Sequence, residues 1–190
     1  DNDKFRIIYT GTIARVNNLK RIVDVAEIMK KDNEIQFLIY GDGDEKLELE
    51  KYCKEKKLTN IKFKGKVLKE KIPYILSKGD ILFVSIIEDI KNKKYDVNKY
   101  GISYNKIFEY LAAGKEIIQT GKNGYDFLEK NGCTHLLERN SSKEKIRSLI
   151  YTLKEMKKEE KEKKFIKTQS LIINYDFKNL TKQLIKIIEN

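Results

Sequence analysis

Tryptophan is absent from this chain of 190 residues, proline and histidine occur once each, and cysteine only twice. Cys53 and Cys133 lie far apart with no C-x-x-C spacing, so neither a disulfide framework nor a zinc site is expected, and a reducing cytoplasm is the simpler setting. The lone His135 stands in a short run with Cys133, Leu136 and Leu137 and reads as a structural histidine rather than a catalyst. Pro73 falls in the first turn of an expected helix, where its missing N–H is tolerated. Long apolar runs are lacking too. The longest, Ile81 to Ile87, is broken by Ser85 and is far short of the roughly 20 residues a membrane helix needs. Asp1 to Lys4 lead straight into a strand-like run, so no signal peptide is expected. The missing initiator methionine suggests a piece cut from a longer protein.

What remains is abundant charge. The net charge is +11, which raises nucleic acid or another polyanion as a partner. Only five of the 40 basic residues are arginine (6, 15, 21, 139 and 147), whereas base and phosphate recognition favours arginine forks. The lysines are dispersed and mixed with acids, as in the run from Lys154 to Lys164, which reads as a solvated helix face. A nucleic-acid partner is therefore not expected, while peripheral attraction to anionic lipid at the inner face of a plasma membrane is compatible with the charge. A hydrophobic content of 40% argues for a folded globule large enough to bury a core.

Strand-like and helix-like segments alternate. Strands are expected at Phe5 to Thr10, Ile35 to Tyr40, Ile61 to Lys64, Ile81 to Val84, Glu116 to Thr120 and around Thr134 to Leu137. Leu19, Ile22, Val23, Ala26 and Met29 have the spacing of an amphipathic helix. Further helices are expected after Gly43 to about Lys56, near Lys69 to Ser77, from Ser103, near Tyr125, after a cap at Ser141 or Ser142, and near Phe177 to Glu189. The Lys- and Asp-rich insert from Ile86 to Lys99 is expected to be a mobile loop. This order predicts an α/β fold, a doubly wound parallel sheet of Rossmann-like type with about six strands, helices on both faces and helices at the C-terminal end from about residue 142. Ligands of such sheets bind beyond the carboxyl ends of the strands. Gly11, Gly41-Asp-Gly43, Gly65 and the Ser103 helix would then surround one cleft.

The most informative stretch runs from Tyr100 through Gly-Ile-Ser-Tyr-Asn-Lys-Ile-Phe-Glu-Tyr-Leu-Ala-Ala-Gly-Lys-Glu-Ile to Ile118. Ser103 suits an N-cap. Ile107, Phe108, Leu111 and Ala112 would form the buried stripe, with Lys106 and Glu109 on another face. A cation beside free amides at a helix start suits a phosphate, and a carboxylate one turn on can accept from both hydroxyls of a ribose. Gly101 to Ile118 resembles the G-x-S-P-x-K-x-F-E-Y-M-A-A-G-K-P-I-I segment in the C-terminal domain of GT-B glycosyltransferases, in the large retaining family that includes bacterial polysaccharide enzymes. Tyr9-Thr-Gly11, Tyr40-Gly-Asp-Gly43, Ile61-x-Phe-x-Gly65-x-Val67 and Asp80-Ile-Leu-Phe83 extend the resemblance over nearly the whole chain.

The resemblance implies one sugar-nucleotide-binding domain, whose partner domain, absent from this chain, holds a lipid-linked or saccharide acceptor. The donor would be a UDP-sugar first and a GDP-sugar second. Glu109 would take the ribose and Lys106 the diphosphate, with Ser103 and Asn105 beside it at the helix start. Backbone groups at Lys66 and Val67 would read the base, and Gly11, Thr12, Gly41 and Gly43 would approach the donor. No metal or other cofactor is implied. The sequence departs from the pattern at Gly101, where many members carry the first carboxylate of an E-x7-E motif, at Tyr104 and Glu116, which replace prolines, and at Thr12, where a basic residue is common. Arg15 is the candidate substitute for that last cation. A nucleotide-sugar epimerase half needs acidic and histidine residues at the cleft and fits a chain with one histidine poorly. A non-catalytic polyanion-binding domain is disfavoured by the dispersed lysines.

Overall fold

The structure is a computed structural model that describes residues 4–85, 105–121, 125–138 and 140–188. The expected insert loop, Gly101 and the Ser103 cap lie outside the described residues. Six strands form one all-parallel sheet: β1 (Phe5–Thr10), β2 (Ile35–Tyr40), β3 (Ile61–Gly65), β4 (Ile81–Ser85), β5 (Glu116–Thr120) and β6 (His135–Leu137), in the order β3-β2-β1-β4-β5-β6. The helices are α1 (Lys20–Ile28), α2 (Lys46–Glu55), α3 (Ile72–Ser77), α4 (Asn105–Ala113), α5 (Asp126–Lys130), α6 (Lys143–Lys154), α7 (Lys158–Ile172) and α8 (Phe177–Ile188).

Strand periodicity divides the core in two. Ile7, Phe37, Ile39, Ile81 and Phe83 meet α1, α2 and α6 on one face, while Ile8, Leu38, Leu82, Val84 and Ile117 meet α3, α4 and α5 on the other. Both faces of the central strands are buried, which is why they read as continuous apolar runs rather than as alternating ones. Burying a side chain such as Phe37 or Phe83 contributes about 1.5–3 kcal/mol over leaving it exposed. The Ser142 hydroxyl caps α6, accepting from the Lys145 N–H at 3.2 Å, so the second of the two candidate serines is the cap.

The chain adds strands outward from β1 to β3, then crosses back to begin again at β4. The crevice where that direction reverses lies between β1 and β4. There the ladder between the two strands stops at Ile8↔Leu82, whereas β1 stays paired with β2 through Thr10↔Tyr40.

Two expectations need correction. Ala112 is exposed, and Tyr110 joins Ile107 and Leu111 in the buried stripe of α4. The stripe follows i, i+3, i+4 from Ile107, because Tyr110 finds a buried partner for its hydroxyl. The Lys154 to Lys164 run is not one solvated face: α6 ends at Lys154, α7 begins at Lys158, and Lys164 turns inward. Its ammonium and His135 Nε2 (2.7 Å) both contact Glu116 Oε2, fastening α7 to the first residues of β5 and β6. On α8, Leu184, Ile187 and Ile188 stand exposed. Among the described residues no helix is long and apolar enough to cross a membrane.

Candidate functional site

The loops after β1 and β2 are joined through their backbones. The Gly11 N–H donates to the Tyr40 carbonyl (2.9 Å), the Ile13 N–H to that of Asp42 (2.9 Å), and the Gly41 N–H to that of Gly65 (2.8 Å). Side chains would prevent this approach. A Cβ on Gly41 would lie 1.8 Å from the Gly11 carbonyl oxygen, and one on Gly43 would lie 2.3 Å from that of Ile13. The two glycines of Gly41-Asp-Gly43 thus bring backbone against backbone and fix the floor of a cleft. Asp42 is occupied inside its own loop, where its carboxylate accepts from the Gly43 N–H at 3.0 Å and lies 3.6 Å from Lys46 Nζ.

The cleft encloses about 340 Å³ and is lined by Gly11, Thr12, Tyr40, Gly41, Asp42, Lys66, Val67 and Ile72. It opens at the carboxyl ends of β1, β2 and β3, beside the crevice between β1 and β4. Tyr40, Val67 and Ile72 give it an apolar wall, and the loop backbone gives it a polar one. Such a mixture suits a flat heterocycle whose edge is hydrogen-bonded and whose faces are not.

Beside Gly11, α4 delivers Lys106 from its first turn. The half-buried ammonium donates to the Tyr9 hydroxyl at 2.9 Å and lies 4.5 Å from the centre of the Tyr9 ring. A Cβ on Gly11 would come within 2.9 Å of Lys106 Nζ, so the glycine leaves room for the cation. Burial pushes the Lys106 pKa down to about 8, partly offset by the Glu109 carboxylate one turn on. A desolvated cation at a helix start has more to gain from an anion than a solvated surface lysine has.

What holds α4 in place is Tyr110. Its fully buried hydroxyl accepts from the Thr10 N–H at 2.8 Å. That N–H points toward β4, past the last rung of the β1–β4 ladder, so a side chain completes what the strand no longer supplies. Burial pushes the Tyr110 pKa up to about 12, keeping the phenol protonated at ordinary pH.

Of the residues expected at the site, Gly11, Thr12, Gly41, Lys66 and Val67 line one cleft, and Lys106 stands at its Gly11 end. Glu109 is half-buried on α4. Gly43 packs against Ile13 rather than facing the cleft, and Gly65 takes part through its carbonyl. Arg15 is exposed on a 3-10 turn (Arg15–Asn17), outside the cleft lining, with Glu45 as an electrostatic neighbour. Asn105 is the first residue of α4, and Ser103 lies outside the described residues. The sequence reading did not single out Tyr9 or Tyr110. Their polar tips at core-facing positions of β1 and α4 were the available signal.

The sequence matches the family described as glycosyl transferases group 1 over residues 1–170. No curated protein matches the chain. Anabaena HepE in complex with UDP has the same fold, with a TM-score of 0.77 at 16% identity over 98% of this chain and 49% of that one. A mutant of S. aureus TarM, solved with UDP among other ligands, gives 0.75 at 17% identity over 99% of this chain and 36% of that one. The C-terminal domain of the Francisella tularensis group 1 glycosyl transferase LpcC gives 0.69 at 17% identity, covering 91% of this chain and 86% of that one. The chain spans half or less of the length of HepE and TarM, and its fold is that of the C-terminal half of a GT-B enzyme. The chain belongs to the group 1 glycosyl transferases.

Proposed function

We propose that this chain binds a nucleotide-diphospho-sugar and forms the donor half of a retaining glycosyltransferase in bacterial surface-polysaccharide synthesis. The observation that carries the reading is the half-buried Lys106 ammonium, held at the Gly11 end of the cleft, at the topological switch point of the sheet. In this reading the base enters between Gly41 and Val67, the ribose hydroxyls donate to Glu109, and the diphosphate lies between Lys106 and the Gly11–Thr12 loop. The backbone of Asn105, the first residue of α4, adjoins the same phosphates. The charge that develops on the leaving diphosphate meets Lys106 and backbone amides already in place, which is electrostatic stabilisation that asks for no metal. A second domain holds the acceptor, lipid-linked or saccharide, and closes over the cleft to exclude water from the breaking glycosidic bond. The UDP in HepE and TarM favours a UDP-sugar over a GDP-sugar.

Thermal shift against UDP-, GDP- and ADP-sugars tests the reading. A ligand at 100 times its Kd stabilises the native state by about 2.7 kcal/mol. For a domain of this size that is a rise in Tm of roughly 5–10 °C. A UDP-sugar is expected to give the largest shift. No shift with any member of the panel, at concentrations up to the millimolar range, overturns the reading.

A further inference from the structure

Tyr9 sits on β1 two residues before Gly11, with its ring in the core face that also holds Ile7 and Phe37. Its hydroxyl does two things at once. It accepts from the Lys106 ammonium at 2.9 Å and donates to the Thr12 carbonyl at 2.8 Å. The same carbonyl accepts from Asn17 Nδ2 at 2.9 Å, so the loop after β1 is tied from both sides. The ring adds a second hold on the cation, which lies 4.5 Å from its centre. An aliphatic lysine side chain has many rotamers, and fixing its ammonium at one point beforehand removes an ordering cost from anion binding.

We propose that Tyr9 is a positioning residue for the diphosphate: it holds the Lys106 cation and the Gly11–Thr12 backbone in one fixed relation, so that both meet the same anion. The proposal rests on the donor-binding reading above. In the free protein the phenol is the cation's partner, and it stays so when a phosphate arrives, because an ammonium has three N–H donors and can serve both. Burial brings the Lys106 pKa down to about 8, so an arriving phosphate draws a proton onto it. Binding of a nucleoside without phosphates leaves the cation on Tyr9 and draws no proton onto Lys106.

The test is calorimetric titration of the wild-type chain and of Tyr9→Phe with UDP and with uridine, at about pH 8.5 in buffers of differing ionisation enthalpy. Phenylalanine keeps the ring and removes only the hydroxyl. An ammonium no longer held beforehand must be ordered on binding, so UDP weakens roughly three- to tenfold. Uridine affinity stays within about twofold, because the base and ribose contacts do not involve the hydroxyl. Proton uptake with UDP is expected in the wild type and is larger in Tyr9→Phe, whose free ammonium has lost an acceptor. Lys106→Met provides an arm that does not depend on Tyr9→Phe folding: its uptake with UDP must fall to that with uridine. Equal losses for UDP and uridine in Tyr9→Phe, unchanged UDP affinity and uptake, or UDP uptake above the uridine value in Lys106→Met each overturn the inference alone. Failure of the wild type to bind UDP or GDP overturns the functional reading, and this inference with it.

Discussion

Replacing Tyr110 with phenylalanine removes one oxygen from the centre of the molecule and leaves every ring contact in place. That oxygen is the acceptor of the Thr10 N–H at 2.8 Å, with the Thr10 hydroxyl at 3.3 Å. Both residues are buried, so water cannot replace it, and β4 no longer pairs with β1 at this level. A buried donor left without a partner costs about 1–3 kcal/mol. At roughly 2–4 °C per kcal/mol for a domain of this length, Tm should fall by about 2–12 °C. Thr10→Val is the comparison: it deletes the weaker hydroxyl contact and leaves the N–H bond intact, so its loss should be under about 1 kcal/mol. The assay is urea unfolding followed by circular dichroism, with the midpoint read at constant slope so that a change reports stability rather than compactness. A Tyr110→Phe midpoint equal to the wild type, or a larger loss for Thr10→Val, would refute the claim that this phenol replaces a missing strand rung. Because α4 carries Lys106 and Glu109, the same variant is expected to weaken UDP even where it remains folded.

Gly41→Ala should destabilise more than an average surface change. Its Cβ would meet the Gly11 carbonyl oxygen at 1.8 Å from a backbone φ of +144°, and the strained conformation alone costs about 1–3 kcal/mol; a midpoint near wild type would mean the two loops are not interlocked. Glu109→Gln keeps one acceptor for a ribose but not the charge, so affinity for the preferred donor should fall roughly tenfold by calorimetry with little change in Tm. Burial raises the pKa of Glu116, but the His135 hydrogen bond and the Lys164 ammonium outweigh it and hold the carboxyl below its usual range. The folded pKa is therefore depressed. Its contribution is present above the unfolded carboxylate value of about 4.3 and is lost as pH falls through the lower folded value. Urea midpoints of wild type and Glu116→Gln should differ at neutral pH and converge in acid; a difference that does not shrink would contradict the ion cluster.

The sheet was legible in the sequence because most of its strands are short buried runs and β1, β2, β3 and β5 are closed by glycine, and most helices because their apolar spacing is strong. Lys106 and Glu109 could be paired from local spacing alone, and Gly41-Asp-Gly43 could be read as a turn of close backbone approach. What those glycines approach, the carbonyls of Gly11 and Ile13, required the sheet to set two loops side by side. Tyr9 and Tyr110 were hidden for the same reason. Tyr110 meets a residue 100 positions away, and Lys106 reaches Tyr9 across 97. No periodicity records such pairs. Ala112 was placed inside because it is apolar, but a helix buries a face rather than a residue type, and Tyr110 lies nearer the middle of that face. Lys164 was misread because a lysine-rich run looks uniformly solvated until one carboxylate, Glu116, is found beneath it.

The central claim is about where a nucleotide lies, and a crystal structure of the chain with UDP tests it most directly. The account predicts the uracil between Gly41 and Val67, the ribose hydroxyls on the Glu109 carboxylate, and the phosphates within hydrogen-bond distance of Lys106 Nζ and of the Gly11–Thr12 backbone, with the ammonium still on the Tyr9 hydroxyl. UDP bound elsewhere, or bound in the cleft with its phosphates turned away from Lys106, would contradict it.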